Sequence, residues 1–260
     1  MSFIDTESIH LVFTSPPYHD LLDYGYSGQI GWGQSWAEYL KDMTTVFREI
    51  ERVLAPGCYF AMNTGQYLIT KGRSLDNHRQ EIDLPAILSE LVEKNTTLHR
   101  ERFFIWDKIE SKKYPVKPYP LQVYSNYDVE FIHVFRKPGE RHVSEEIREK
   151  SMLAYKEADK FRSTIWSIHV QKELSRADFY AHLCPFPPEL PERAIKLYSF
   201  IGDVVLDPFC GIANTCIAAA RNGRHFIGVD MNPQYLEEAA RRIEKTIGIN
   251  QTQASINEAA

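Results

Sequence analysis

Apolar positions along the chain fall into two alternating patterns. Over residues 35–54, Trp36, Tyr39, Leu40, Met43, Val46, Phe47, Ile50 and Leu54 recur near the helical period and predict an amphipathic helix. Ser35 and Glu38 have capping-box spacing at its start, and Ala55-Pro56-Gly57 stops it. Further helices are predicted over 83–94, with Pro85 allowed in the first turn, over 187–198, opened by prolines, over the alanine-rich 216–221, and over 233–247. Short apolar runs at 9–13, 58–62, 204–206 and 226–229 read as buried strands, and 97–106 and 129–135 read as two further strands. Residues 144–161 are charged and predicted helical, whereas 165–186 is predicted irregular. Strands alternate with helices in both halves, which predicts an α/β fold: a mainly parallel sheet with helices on both faces. The expected organisation is a single domain over 1–247, an insert at about 138–165, and a polar, flexible tail over 248–260.

The bulk properties narrow the picture. A chain of 260 residues with 43% hydrophobic content suffices for one substantial α/β domain. It has no run of about 20 apolar residues, so no membrane partner is expected, and its first residues lack a secretory pattern. The four cysteines, Cys58, Cys184, Cys210 and Cys216, include no C-x-x-C pair. Unpaired thiols in a reduced, cytoplasmic setting are expected, with no metal site. A net charge of −5 argues against a strongly basic nucleic-acid coat but allows a local basic face. Residues 99–118 carry Arg100, Arg102, Lys108, Lys112, Lys113 and Lys117 among Phe103, Phe104, Trp106 and Tyr114. That stretch fits a nucleic-acid cleft, with cations for phosphates and rings for bases, and equally an amphipathic strand with a solvated loop.

Two segments carry candidate chemistry. Thr14-Ser15-Pro16-Pro17-Tyr18 follows the first strand. Two prolines stiffen it and remove two donors, so the Ser15 hydroxyl and the Ser15 and Pro16 carbonyls are acceptors suited to an exocyclic amine. Tyr18 offers a face on which a base could stack. The pentapeptide alone is also compatible with a Pro-Pro turn and a core tyrosine. In the second half, the strand at 204–207 runs into Asp207-Pro208-Phe209-Cys210-Gly211-Ile212-Ala213, then a helix, then Phe226-Ile227-Gly228-Val229-Asp230. Asp230 follows Gly211 by 19 residues, close to the spacing of a glycine turn and a ribose-binding acid. The loop lacks a full G-x-G-x-x-G, so a nucleoside suits it better than a dinucleotide; an ordinary β-α-β unit is the alternative. Both segments lie at the carboxyl ends of predicted strands, where such sheets bind ligands.

Together these residues resemble the amino-methyltransferases of DNA. Ser15-Pro16-Pro17-Tyr18 is similar to that family's catalytic S/D/N-P-P-Y/F, Asp207 to Ala213 to its cofactor loop D-P-F-x-G-x-G, and Asp230 to its nucleoside acid. The order, catalytic loop before cofactor loop, is that of the circularly permuted beta group. Further matches are Arg52 to Gly57 and Pro185 to Leu190 followed by Arg193. The resemblance implies a Rossmann-like methyltransferase fold using S-adenosylmethionine, with Thr14, Phe186, Asp207, Pro208, Phe209, Cys210, Gly211, Ala213, Asp230 and Met231 at the cofactor. It implies Ser15, Pro16, Pro17 and Tyr18 as catalytic residues acting on a base flipped out of duplex DNA. Arg100, Lys108, Lys112, Lys113 and Lys117 are the candidate DNA contacts. Serine in the first position is typical of enzymes acting on the N4 amine of cytosine, aspartate of those acting on the N6 amine of adenine; cytosine is favoured, adenine is the alternative. Two departures stand out. Ala213 and Asn214 replace the family's glycine and threonine, and a Cβ at 213 disfavours positive φ. Only residues 1–8 precede the first strand, which leaves one edge strand of the family sheet unaccounted for. The insert is the candidate recognition region and is small, so a short target, a second copy or another subunit is expected. A degenerate DNA-binding homologue, a single-strand or RNA enzyme, and a nicotinamide oxidoreductase are the competing readings; the last leaves residues 15–18 unexplained.

Overall fold

The computed structural model describes residues 1–69, 80–109, 127–170, 185–248 and 255–258. Eight strands form the main sheet: β1 (Ile9–Thr14), β2 (Leu54–Thr64), β5 (His99–Ile109), β6 (Val129–Arg136), β7 (Ile165–His169), β8 (Val204–Asp207), β9 (His225–Asp230) and β10 (Ser255–Glu258). Their order is β10-β9-β8-β1-β2-β6-β5-β7, and β6 alone runs against the others. A small hairpin, β3 (Tyr67–Ile69) with β4 (Gln80–Ile82), stands apart from it. The α/β expectation with a mainly parallel sheet therefore holds. No helix among the described residues is long and apolar enough to cross a membrane.

Helices cover both faces. On one side α1 (Trp36–Val53) and α2 (Leu84–Asn95) bury Tyr39, Met43, Phe47, Ile50, Leu84, Leu88 and Val92 against Val12, Phe60 and Leu206. The Ser35–Glu38 capping box forms as expected, and Asp83 caps α2. On the other side lie α5 (Glu189–Tyr198), α6 (Asn214–Arg221) and α7 (Pro233–Ile247). Here Ile195, Cys216, Ile217, Leu236 and Ile243 close over Leu11, Val205 and Phe226. Each central strand thus alternates its apolar side chains between two cores, which is why these strands read as continuous apolar runs.

Three expectations are corrected. Residues 165–169 form β7 rather than irregular chain. Trp166 and Ile168 turn inward while their neighbours face solvent, and the strand pairs with β5. The charged stretch 144–161 is broken into α3 (Glu145–Lys150) and α4 (Tyr155–Phe161). Within the tail read as flexible, β10 pairs in parallel with β9, Ser255 beside Ile227 through Glu258 beside Asp230. An open strand edge pairs through its backbone and so can recruit a polar segment. That edge of the sheet, left unfilled by residues 1–8, is closed from the other end of the chain.

Candidate active site

β8 and β1 lie side by side in parallel, Leu11 beside Val205 and Val12 beside Leu206. From β8 the chain passes through α6 to β9 on one side; from β1 it passes through α1 to β2 on the other. This reversal makes the β8/β1 boundary the switch point where α/β sheets bind ligands beyond their strand ends. The 14–18 loop and the 207–213 loop both emerge there. They are joined directly: the Thr14 hydroxyl donates to Asp207 Oδ1 at 2.6 Å. Thr215 donates to Oδ2 at 2.6 Å and the Phe209 N–H to Oδ1 at 3.1 Å. Asp207 is fully buried, and burial pushes its carboxyl up to about 6 although these three donors pull the other way. It organises the junction of the two loops from beneath.

The 207–213 loop is clipped to the end of β9. Cys210 N–H donates to the Val229 carbonyl at 2.9 Å, and Gly211 N–H to Asp230 Oδ2 at 2.9 Å. Asp230 Oδ1 accepts from Asn232 N–H at 2.9 Å, and burial raises this carboxyl too. Gly211 and Ala213 both have positive φ, +48° and +66°. The strain expected at Ala213 is therefore present, in a buried residue at the start of α6. Arg242 of α7 holds the loop from behind, donating to the Ile212 carbonyl and, at 2.8 Å, to Asn214 Oδ1. Asn214 Nδ2 donates to the Phe186 carbonyl at 2.6 Å, and the Phe186 ring meets Phe13 edge-on at 5.5 Å. Phe186 is thereby brought beside both loops, against Asn214 and the residue preceding Thr14. The segment after the catalytic loop reaches over the end of β9: the Tyr24 carbonyl accepts from Asn232 Nδ2 at 3.4 Å, and Met231 Cε lies 3.7 Å from where a Cβ on Gly28 would stand.

The donor set fits S-adenosylmethionine. Residues 207–213 contain no lysine or arginine to take a phosphate, whereas Asp230 offers carboxylate lone pairs to a ribose diol. One buried and one half-buried carboxylate, held by hydroxyls and backbone N–H groups, suit a sulfonium centre.

The 14–18 loop is held from two sides. The Tyr39 hydroxyl of α1 donates to the Pro17 carbonyl at 2.9 Å, and the Gly65 N–H donates to the Tyr18 hydroxyl. Pro16 is buried, and Ser15, Pro17 and Tyr18 are half-buried. The Tyr18 ring lies 5.8 Å from Tyr67, and burial with the nearby Glu130 charge keeps its phenol protonated.

The basic residues are placed differently from the sequence reading. Arg100 lies near the start of β5, paired in register with Phe135, and its guanidinium reaches Ser89 Oγ at 3.3 Å, far down the sheet from the loops. Lys108 is at the correct end but turned inward, its ammonium 3.1 Å from Glu130 with a side chain 15% exposed. Arg100 is exposed but remote from the two loops, and Lys108 is engaged by Glu130. Lys112, Lys113 and Lys117 fall outside the described residues. Residues 138–165, expected above to be an insert, are anchored at the amino ends of the strands: Arg141 pairs with Asp203, and Ser151 Oγ accepts from Ile201 N–H at 2.9 Å. From there α4 runs along α5, linked by Lys196–Glu157 at 2.7 Å and Lys160–Glu189 at 3.3 Å. Pattern reading overlooked Asn63, Gly65, Glu130, Thr215 and Arg242, and marked Asn214 only as a departure from the family loop. Only Asn214 and Thr215, adjoining the cofactor motif, carried any local signal.

Comparison with known proteins agrees with this arrangement. The family model described as "DNA methylase", of the N6/N4 type, matches residues 9–241. The Type II methyltransferase M.MthZI of Methanothermobacter thermautotrophicus is 28% identical, the match covering 96% of this chain and 75% of that protein. M.MjaI of Methanocaldococcus jannaschii is 29% identical, with 96% and 89% covered. Among solved structures, TTHA0409, a putative DNA modification methylase of Thermus thermophilus complexed with S-adenosyl-L-methionine, superposes with a TM-score of 0.79 at 30% identity, covering 100% of this chain and 94% of that one. The cytosine-N4-specific PvuII DNA methyltransferase shares the fold, with a TM-score of 0.64 at 20% identity over 98% of this chain and 90% of its own. With its two loops joined at the switch point and the family model spanning nearly the whole sheet, the chain belongs to the N6/N4 DNA methylases, S-adenosylmethionine-dependent enzymes that methylate exocyclic amines of DNA bases.

Proposed function

We propose that this protein transfers a methyl group to the N4 amine of cytosine in duplex DNA, with the target base turned out of the helix into the β8/β1 crevice. The observation that carries the reading is the Thr14–Asp207 hydrogen bond, which makes the proline loop and the cofactor loop two walls of one opening. S-adenosylmethionine, when bound, supplies a methyl group activated on a sulfonium. Asp230 takes the ribose hydroxyls, Phe209, Gly211 and Met231 line the nucleoside, and Phe186 borders the methionine end. Ser15 Oγ and the Pro16 carbonyl accept from the two amine hydrogens, which turns the nitrogen lone pair out of ring conjugation. Tyr18 stacks on the base. Pre-set acceptors and a rigid loop act by positioning and electrostatics, with no covalent enzyme intermediate.

The choice of N4 over N6 rests on Ser15 at the head of the tetrapeptide. Type II naming among the relatives favours a modification enzyme acting at a short duplex site, in the cytoplasm with the host DNA. The test is mass spectrometry of nucleosides from duplex DNA treated with purified protein and S-adenosylmethionine. N4-methylcytosine is expected; N6-methyladenine instead would overturn the base assignment. Neither product, with cofactor still bound, would favour a non-catalytic homologue.

A further inference from the structure

Three strands, β2, β5 and β6, converge on the ring of Tyr18. Gly65 directly follows β2 and gives its N–H to the Tyr18 hydroxyl. There is no space for a side chain at this position: a Cβ would lie 2.9 Å from Glu130 Cγ and 3.2 Å from the Tyr18 hydroxyl oxygen. The Gly65 peptide is therefore sandwiched between the tyrosine tip and Glu130 of β6. Glu130 is held in turn by donors from β2 and β5, Asn63 Nδ2 at 2.6 Å and Lys108 Nζ at 3.1 Å. Lys108 also sits over the Trp106 ring, 5.9 Å from its centre.

Stability does not explain this arrangement. Its neighbours Trp106 and Ile132 belong to an apolar cluster, and replacing a buried ion pair by apolar packing is often neutral or better for stability. What a paired carboxylate adds is direction: two charge-assisted or amide contacts fix where the group stands. A tyrosine pivots about two side-chain torsions, so a contact at its far end narrows the range of its ring plane. Here the Tyr39–Pro17 bond holds the base of the pivot and Gly65 holds the tip.

We propose that Glu130 is a positioning residue for methyl transfer: braced by Lys108 and Asn63, it clamps the Gly65 peptide that sets the plane of the Tyr18 ring. The last step, that a base stacks on this ring, rests on the amino-methyltransferase reading; the clamp itself does not. A shift of the ring moves the stacked amine relative to the methyl donor, and a misplacement of about 1 Å can reduce turnover on the order of a hundredfold.

Two measurements test this. Protein labelled with 13C at the tyrosine ζ carbon gives a Tyr18 resonance identified by its loss in Tyr18→Phe. A single sharp line is expected in the native protein and in Glu130→Gln, and a split or broadened line in Glu130→Ala. An unchanged line in Glu130→Ala overturns the clamp whether or not the protein is active. In steady-state methylation, Glu130→Ala should lower kcat by about tenfold to a hundredfold, with S-adenosylhomocysteine affinity and KM for DNA nearly unchanged, and Glu130→Gln should recover most of it. Combined with Tyr18→Phe, Glu130→Ala should add little further loss; multiplying losses would show that Glu130 acts elsewhere and overturn the proposal. Lys108→Met, which leaves Glu130 in place without its brace, should shift the same line and lower kcat less. Failure of the native protein to methylate any DNA would sink the functional reading and leave the resonance to decide the clamp.

Discussion

The two ends of β8 handle a buried aspartate in opposite ways. Asp203, just before the strand, meets the guanidinium of Arg141 and accepts from the Phe200 N–H at 2.7 Å. Asp207, the last residue of the same strand, is surrounded by two threonine hydroxyls and a backbone N–H. Both are almost wholly inaccessible, 5% and 0% exposed. The amino end is a bolt, where an ion pair ties residues 138–165 to the sheet. The carboxyl end gives its carboxylate only neutral donors, at the opening proposed above for the cationic cofactor. The sheet thus separates anchoring from chemistry by the partner it gives each carboxylate.

Breaking the bolt should have the largest effect. Arg141→Ala leaves Asp203 buried without its cation and should cost about 3 kcal/mol of stability, measured by urea denaturation, while cofactor affinity at 25 °C stays within about twofold. Equal loss of both would mean that the two ends are not independent. Next comes Asp230→Ala, which removes the acceptors for a ribose diol and should weaken S-adenosylhomocysteine binding on the order of a hundredfold by calorimetry. Ser15→Ala should do the reverse, sparing binding and slowing transfer. If both variants lose only binding, the division of roles between the loops is wrong.

The Asp207 end can be probed by pH. Its folded carboxyl sits at about 6 against an ordinary 3.8, so the folded state holds this proton more tightly than the unfolded chain. The stability contribution of Asp207 therefore falls as pH rises through that window and stays low above it. Asp207→Asn should gain relative to the native protein between those two values, read from denaturation midpoints at successive pH. A constant difference across the window would show that the carboxylate is not penalised as the burial implies. The smallest effect is expected at Ala213, whose φ of +66° strains a residue with a Cβ. Ala213→Gly should stabilise by about 1 kcal/mol, a rise of a few degrees in Tm, and a fall would mean that the methyl group packs better than its backbone suffers.

Much of this was legible in the chain. The α1 stripe, its capping box and the helix at 233–247 formed as the period predicted, because local spacing alone decides which helix face is apolar. The two chemical segments were legible for a similar reason. A double proline and a glycine turn after apolar strands restrict the backbone whatever surrounds them. β7 escaped notice because a five-residue strand with alternating exposure becomes a strand only when β5 offers its edge. Lys108 looked like a free phosphate contact because nothing in the chain places Glu130, 22 residues later, beside it.

The sequence by itself determined the strands and helices that flank the two loops, the stiffness of residues 15–18 and the acid that follows the cofactor loop, since each depends on neighbours within a few residues. Tertiary structure alone decided that Thr14 and Asp207, 193 residues apart, share a hydrogen bond, and that Asn63, Lys108 and Glu130 meet behind Tyr18. Such contacts depend on strand order and register across the sheet, and these are set by the packing of whole elements, not by any local pattern.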